Sequence, residues 1–430
     1  MQTVRVTLPI SKSIAIREMA MAALQYSQNI GAFLELFPES QVRDQPRDCR
    51  VMHRACCSWI QHNPSTQKEL HLDFVDAGTP FRFFTAIACV SDFPIVLSGN
   101  SSLQQRPILP LVSVLRDCGA SITYIDKEGF APIRVHGPLT HIPEALVIDS
   151  RLSSQFASAL SLLLHYQSPK TLLHWDGPAT SRTYYTLTQK LLARGLSHGF
   201  ENDKNTATDS PNSNLTLSNR HHSSHDRDWS SAAFFYAKVS VSPGLRIVFP
   251  DLQFNGLQGD EALADLFVPL GVKTQRLDQT DSQQPEICIE SMPMVDSRNT
   301  VLFFDLSNNL DLAPAIIVTL LLRGQSARID GIENLQWKES NRLLALQALC
   351  QAVGASLYRM SESATDWYLD SSEVVWPVQL SLKTQHDHRL AMAYALLSTK
   401  IPTLHLDDTG CVEKSFPNYW EQLALCKFVK

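Results

Sequence analysis

Six stretches of the chain are apolar at helical spacing, and each starts just after a short polar cluster. Ser11-Lys12-Ser13 precedes residues 14–24, and Asp76-Ala77-Gly78-Thr79-Pro80 precedes residues 81–90. Ser153-Ser154-Gln155 precedes 156–164, and Asp228-Trp229-Ser230-Ser231 precedes 232–239. Asp311 precedes 312–322, and His386-Asp387-His388-Arg389 precedes 390–397. With Ser13, Thr79, Ser154, Ser231, Asp311 and His388 as markers, the spacings are 66, 75, 77, 80 and 77 residues. A near-constant period of this length reads as six copies of one α/β unit.

β-like runs lie between the helices, at residues 121–125, 245–249, 327–329 and 403–406, and residues 1–8 alternate like a strand. Second helices are predicted over 109–118, 184–196, 262–270 and 343–353. The expected unit is two strand–helix steps plus a hairpin. Pro80 fits a first helical turn, and every predicted helix start presents unpaired N–H groups and a positive dipole end.

A length of 430 residues sets two domains as the prior. Apolar content of 44% and charged content of 19% describe an ordinary globular protein, and no run reaches transmembrane length. A net charge of -6 argues against nucleic acid held by bulk positive charge. Nine scattered cysteines without C-x-x-C spacing suit small core residues in a reducing cytosol. The N-terminus reads as a strand, not a signal peptide, so the expected location is cytoplasmic. Residues 202–226, polar and near mid-chain, can mark a domain crossing. Their His221, His222 and His225 read either as plain polar loop or as a metal site.

The candidate chemistry is anion binding. Ser11-Lys12-Ser13 with Arg17 reads either as a Ser N-cap on an amphipathic helix or as a phosphate or carboxylate cradle. Gly78 beside a helix start reads either as a tight turn or as a place where a ligand approaches the backbone. Ser154 and Asp311 each read as an N-cap or as a ligand contact. Lys338 and Arg342 share one helical face with Glu339 between them, a pattern also met on solvated helices.

Taken together, these segments resemble the 5-enolpyruvylshikimate-3-phosphate (EPSP) synthase family in order and spacing. The matching runs are Leu8-Pro9-Ile10-Ser11-Lys12-Ser13, Ala77-Gly78-Thr79-Pro80-Phe81-Arg82, Gln105-Arg106-Pro107-Ile108, Ser153-Ser154-Gln155-Phe156, Leu257-Gln258-Gly259-Asp260, Lys338-Glu339-Ser340-Asn341-Arg342, Asp387-His388-Arg389-Leu390-Ala391-Met392 and Lys414-Ser415-Phe416-Pro417. The resemblance implies an α/β fold, a two-domain inverted α/β barrel with three repeats per domain. Residues 1–12 and 230–430 would form one discontinuous domain and 13–229 the other, with the active site in the cleft between them.

It further implies transfer of the carboxyvinyl group of phosphoenolpyruvate to the 5-hydroxyl of shikimate 3-phosphate, in aromatic amino acid biosynthesis by way of chorismate. By matched position, shikimate 3-phosphate would meet Lys12, Ser13, Arg17, Ser153, Ser154, Gln155, Ser181, Tyr184, Asp311, Asn334 and Lys338. Phosphoenolpyruvate would meet Lys12, Gly78, Arg106, Gln155, Arg342, Arg389 and Lys414. Asp311 and Glu339 would be the acid/base pair, with Lys12 assisting at the leaving phosphate. No metal or organic cofactor, no nucleic acid and no membrane is implied, the chain is expected to be a monomer, and glyphosate is expected to compete with phosphoenolpyruvate. The substrates together carry about five negative charges, which suits seven converging cations.

Four places depart from the family pattern: Asp76 where Asn is frequent, Phe83 where Pro is frequent, Ala15-Ile16 for polar residues, and Asn341 for Asp. Asp76 is expected to weaken the donor site, and Asn341 to loosen Arg342. Two rivals remain. UDP-N-acetylglucosamine enolpyruvyl transferase would need a reactive Cys in residues 99–105, which have none. A non-catalytic anion-binding relative would not need both carboxylates.

Overall fold

The computed structural model describes residues 2–149, 154–176, 182–197, 226–277, 286–293, 300–361 and 365–426. Ser153, Ser181 and the histidines at 221, 222 and 225 lie outside the described residues. Each of the six polar clusters feeds a helix: Lys12–Gln25, Gly78–Ile87, Ser154–Gln167, Trp229–Ser240, Ala313–Arg323 after a short turn at Leu310–Leu312, and His388–Ala395. The second starts at Gly78, so Pro80 is its third residue and still within the turn whose N–H groups lack intrahelical partners. Of the second helices, Leu109–Asp117, Arg182–Ser197 and Arg342–Ala352 form as expected. The one predicted at 262–270 shortens to Leu263–Leu266 after a 3-10 turn, because Phe267 to Gly271 turn the chain back toward the strand Val272–Leu277.

Three sheets share one topology, a parallel pair extended by an antiparallel hairpin. Gln2–Arg5 runs parallel to Leu245–Pro250, which pairs antiparallel with Glu286–Ser291, and that with Val272–Leu277. The same order recurs in Leu302–Asp305, Ala327–Asp330, Asp366–Asp370 and Ser356–Arg359, and in Leu70–Asp73, Ile95–Ser98, Ile133–His136 and Ser121–Tyr124. Gln379–Leu382 with Thr403–Leu406, and Ala145–Asp149 with Leu172–Asp176, form only the parallel pair among the described residues. The segment after Ser13 forms no strand at all before Leu70. It is built from Lys12–Gln25, two short helices and Arg47–Ile60, so the hairpin-bearing unit expected six times is complete in three.

In two of the complete units the parallel strands are joined through a helix, Gly78–Ile87 or Ala313–Arg323, whereas Gln2–Arg5 and Leu245–Pro250 are joined through the entire other cluster and then Trp229–Ser240. The helices are heavily apolar; all but one residue of Trp229–Ser240 and of Ala313–Arg323 are buried. Gly324 ends the latter in the left-handed region at φ 62°, a position where the absence of a Cβ removes the strain. The buried side chains form two large clusters. One draws on residues 4–8 and 229–426 and the other on residues 15–192. Where the chain passes between them, two segments run side by side. Ser11 N donates to Asp226 O at 2.7 Å, Asp228 N donates to Pro9 O at 3.0 Å, and Ile10 bridges Arg227. Among the described residues no helix is long and apolar enough to cross a membrane.

Candidate active site

The helix starts of the two clusters meet on a group of charged side chains, and Arg342 lies at its centre. It is fully buried at the start of Arg342–Ala352. Its Nε and Nη2 donate to Asp387 Oδ2 and Oδ1 at 2.8 and 3.1 Å, its Nη1 to Asp311 Oδ1 at 3.0 Å, and its Nη2 also to Glu339 Oε2 at 2.6 Å. One guanidinium therefore ties together the two expected acid/base residues. Three carboxylates outweigh the burial that would lower its pKa and raise it above the usual arginine value. Asn341 does not loosen it: the Asn341 side chain caps the helix by accepting from Leu344 N at 3.0 Å, and Asp387 supplies the anchor.

Asp311 follows Leu310 in the turn before its helix and receives four further contacts. Tyr184 Oη donates to Oδ2 at 2.6 Å across the cleft, Arg389 Nη2 lies 3.2 Å from Oδ2, Arg389 Nη1 reaches the Asp311 carbonyl at 3.3 Å, and Lys338 Nζ lies 3.4 Å from Oδ1. Burial pushes its carboxyl up, but Arg389, Lys338 and Arg342 together hold it well below the usual range. Glu339 is likewise pushed up by burial and held well below by Arg342 and Arg106. Tyr184 stays a neutral donor, raised well above an ordinary tyrosine by burial and by Asp311.

Lys12, Lys414, Arg106 and the start of Gly78–Ile87 lie close to the same charged group. Lys12 begins its helix and pairs with Asp48 at 3.2 Å; burial opposes its charge, but Asp48 and Glu339 raise its pKa on balance. Lys414, nearly inaccessible at 1% exposure, lies 2.9 Å from Asp76 Oδ2 and 3.4 Å from Asp48 Oδ1. A Cβ added at Gly78 would stand 2.7 Å from Arg106 Nη1 and 2.8 Å from Arg82 Nη1. Both of these guanidiniums keep a buried Nε without a hydrogen-bond partner among the described residues. Gln155 accepts from Arg82 Nη1 at 2.7 Å. Burial and the neighbouring Arg106 bring Arg82 down to about 9.

Arg17 is buried within its own cluster. Its guanidinium donates to Thr188 Oγ1 at 2.7 Å, Ser13 O at 2.7 Å, Ser158 Oγ at 3.2 Å and Tyr184 O at 3.0 Å. Its guanidinium carbon lies 5.3 Å from the centre of Phe83, so the Phe-for-Pro departure packs this strut. Ser13 and Ser154 stand in the first turns of their helices, and Asn334 is half-buried in the turn beyond Ala327–Asp330.

Sequence reasoning missed the counter-charges. Asp48, Asp387 and Asp228 each sit at or just before a helix start and look like N-terminal carboxylates in sequence; Asp387 and Asp228 belong to the polar clusters, and of the three only Asp387 lies in a run that matches the family. Asp228 caps Trp229–Ser240 through Ser231 N at 2.9 Å, and burial raises its pKa, an effect that Arg389 opposes. His388 is also fully buried, with Nδ1 3.9 Å from Asp387 Oδ1 and neither ring nitrogen hydrogen-bonded among the described residues; burial and Lys12 hold its pKa well below the ordinary histidine value. No cluster of three or more His, Cys, Asp or Glu able to hold a metal occurs among the described residues. Cys118, the cysteine nearest in sequence after Arg106, is 1% exposed and raised by burial to about 11, which is unlike a reactive thiol.

Comparison with known proteins gives the family and the fold. The sequence matches the family described as EPSP synthase (3-phosphoshikimate 1-carboxyvinyltransferase) over residues 2–423. It is 30% identical over 426 residues to the 3-phosphoshikimate 1-carboxyvinyltransferase of Bacteroides fragilis, covering 98% of this chain and 95% of that one. It is 28% identical over 440 residues to the enzyme of the same name from Yersinia pseudotuberculosis, covering 97% and 95%. In three dimensions it resembles EPSP synthase from Acinetobacter baumannii with a TM-score of 0.60 at 15% identity, covering 98% of this chain and 95% of that one, a likeness of fold. The chain belongs to the EPSP synthase family.

Proposed function

We propose that the chain transfers the carboxyvinyl group of phosphoenolpyruvate to the 5-hydroxyl of shikimate 3-phosphate and releases phosphate. The observation that carries this reading is the wholly buried Arg342 joining Asp311 and Glu339, ringed by Lys12, Lys338, Arg389 and Lys414. A binding site for anions alone would not need both of these carboxylates, since each repels the ligand. Addition–elimination needs them. The hydroxyl oxygen bonds to C2 of the enol, the hydroxyl proton leaves and C3 gains a proton. In the second half C3 loses a proton and the C2–O bond to phosphate breaks.

Asp311 takes the role at the hydroxyl and Glu339 the role at C3, with Lys12 at the departing phosphate. Without substrate, three cations hold Asp311 too acidic to be a good base. The negative charges of bound phosphate and carboxylate groups oppose those cations and raise the basicity of Asp311, so the base is armed by the substrates themselves. Lys12, Ser13, Arg17, Ser153, Ser154, Gln155, Ser181, Tyr184, Asp311, Asn334 and Lys338 are the contacts for shikimate 3-phosphate, with Arg17 also bracing Ser13 and Tyr184. Gly78, Arg106, Gln155, Arg342, Arg389 and Lys414 hold the donor. Residues 1–12 with 230–430 and residues 13–229 act as the two units that close on the substrates, excluding water and aligning them.

The test is phosphate release from phosphoenolpyruvate with shikimate 3-phosphate, with UDP-N-acetylglucosamine, and with no acceptor. Release only with shikimate 3-phosphate supports the assignment. Release with the nucleotide sugar, or with neither acceptor in a folded sample, overturns it.

A further inference from the structure

The substitution expected to harm the donor site comes with a neighbour that answers it. Asp76 adds a carboxylate where the family commonly has the neutral Asn, and it lies against Lys414, one of the proposed donor ligands. The Lys414 ammonium touches both Asp76 Oδ2 and the Asp76 carbonyl at 2.9 Å, bridging from the 410–414 turn to the opposite side of the cleft. Unanswered, this carboxylate would cancel the charge of Lys414. Arg47 answers it: its Nη2 donates to Asp76 Oδ1 at 2.6 Å, so the two carboxylate oxygens face two cations. The triad of Arg47, Asp76 and Lys414 carries one net positive charge, the same as Lys414 beside a neutral Asn. Although burial works the other way, Lys414 and Arg47 lower the pKa of Asp76, so it remains ionised.

The backbone also holds Asp76 in place. Val75 before it has φ 54°, a conformation that a β-branched residue adopts only under constraint. Val75 O accepts from Asn100 N at 2.7 Å, and its N–H is bound by Asp73 Oδ1 at 2.8 Å.

We propose that Arg47 and Asp76 are a charge-compensated positioning pair that sets the location and effective charge of Lys414, and through it the affinity for the anionic donor. The inference rests on the proposed function for the identity of that donor, phosphoenolpyruvate. Arg47 is 34% exposed, so its replacement does not threaten folding.

The experiment is a double-mutant cycle on the full chain with Arg47→Ala, Asp76→Asn and the double variant, plus Arg47→Lys. Arg47→Ala should raise the KM for phosphoenolpyruvate about tenfold, leaving an anion beside the donor unanswered, while the KM for shikimate 3-phosphate moves less than about twofold. Arg47→Lys should keep most of the affinity, and adding Asp76→Asn to Arg47→Ala should restore it to within about threefold of wild type. A merely structural role would shift thermal stability and both substrates alike, with no rescue. The proposal falls if Arg47→Ala leaves donor KM unchanged, or if the effects of the two substitutions simply multiply. Where the wild-type chain releases no phosphate, the proposed function fails and the same cycle is read by calorimetric titration with phosphoenolpyruvate. Absence of binding there overturns the pair's role as well.

Discussion

Arg342 and Asp387 form a two-pronged ion pair with both side chains wholly removed from solvent, at 2.8 and 3.1 Å. Asp387 also caps its own helix by accepting from Arg389 N at 3.0 Å. One carboxylate therefore fixes two of the proposed donor ligands, Arg342 through its side chain and Arg389 through its backbone.

Asp387→Ala should accordingly lower the free energy of unfolding by about 3 kcal/mol, because a buried guanidinium loses its main counter-charge and a helix loses its cap. Asp387→Asn keeps a capping oxygen but not the charge, so it should recover only part of that loss. Urea unfolding of the three proteins measures the difference; equal stability of all three would show that Asp311 and Glu339 suffice to hold Arg342.

Gly78 lies where two guanidinium tips converge. A methyl group at 2.7 and 2.8 Å from Arg106 and Arg82 must push them aside, and both are ends of flexible side chains, so the fold survives. Gly78→Ala should raise the KM for phosphoenolpyruvate about tenfold and leave that for shikimate 3-phosphate nearly unchanged. Glyphosate should compete with phosphoenolpyruvate on the wild-type chain and inhibit the variant more weakly. Initial rates at varied donor concentration decide it: non-competitive inhibition, or equal inhibition of both proteins, would remove Gly78 from the donor pocket.

Glu339→Gln changes little in shape but cannot exchange a proton at C3. Turnover should fall about 100-fold to 10,000-fold, the range for loss of a positioned acid or base, with substrate affinity retained. Single-turnover kinetics and calorimetry separate the two quantities. Near-wild-type turnover would assign the proton transfer elsewhere, and His388 would be the first alternative, being buried, without a hydrogen bond among the described residues and within electrostatic reach of both Lys12 and Glu339.

The six-fold period was legible because each repeat spends its polarity at a helix start and its apolar residues on the helix that follows. Every marker residue falls in such a first turn or in the turn just before it. Strands were less legible. Of the four-residue strands, Ser121–Tyr124, Ala327–Asp330 and Thr403–Leu406 were legible but Leu70–Asp73 and Leu302–Asp305 were not, since so few positions barely define a period of two, and the segment after Ser13 replaces its strands with helices. The cations of the site were readable by motif, whereas their partners were not. Asp48 pairs with Lys12 and Lys414, the latter 366 residues away in sequence, and Arg47 meets Asp76 across 29. Contacts of that separation exist only once the fold has brought helix starts together, so a carboxylate there looks in sequence like an ordinary N-terminal acid.

Glu18 gives a pH prediction independent of catalysis. It lies one residue beyond Arg17, half-buried, where the chain passes beside Asp226. Burial, then Asp226, pushes its carboxyl up to about 8, with Arg194 opposing. In the unfolded chain it titrates near the ordinary 4.5. Between those two values the folded protein holds a proton that the unfolded chain has released, so folding is favoured at the low end and stability declines as pH rises from about 4.5 to 8, then levels off. Glu18→Gln is neutral throughout. It should match the wild type near pH 4.5 and exceed it above pH 8, with a thermal midpoint higher by about 4 °C or more. Parallel melting curves across that range would show that Glu18 is solvated in the folded state. A variant that loses stability at high pH would instead mean that the ionised carboxylate is held by Arg194 and that the pairing, not the desolvation, dominates at this crossing of the chain.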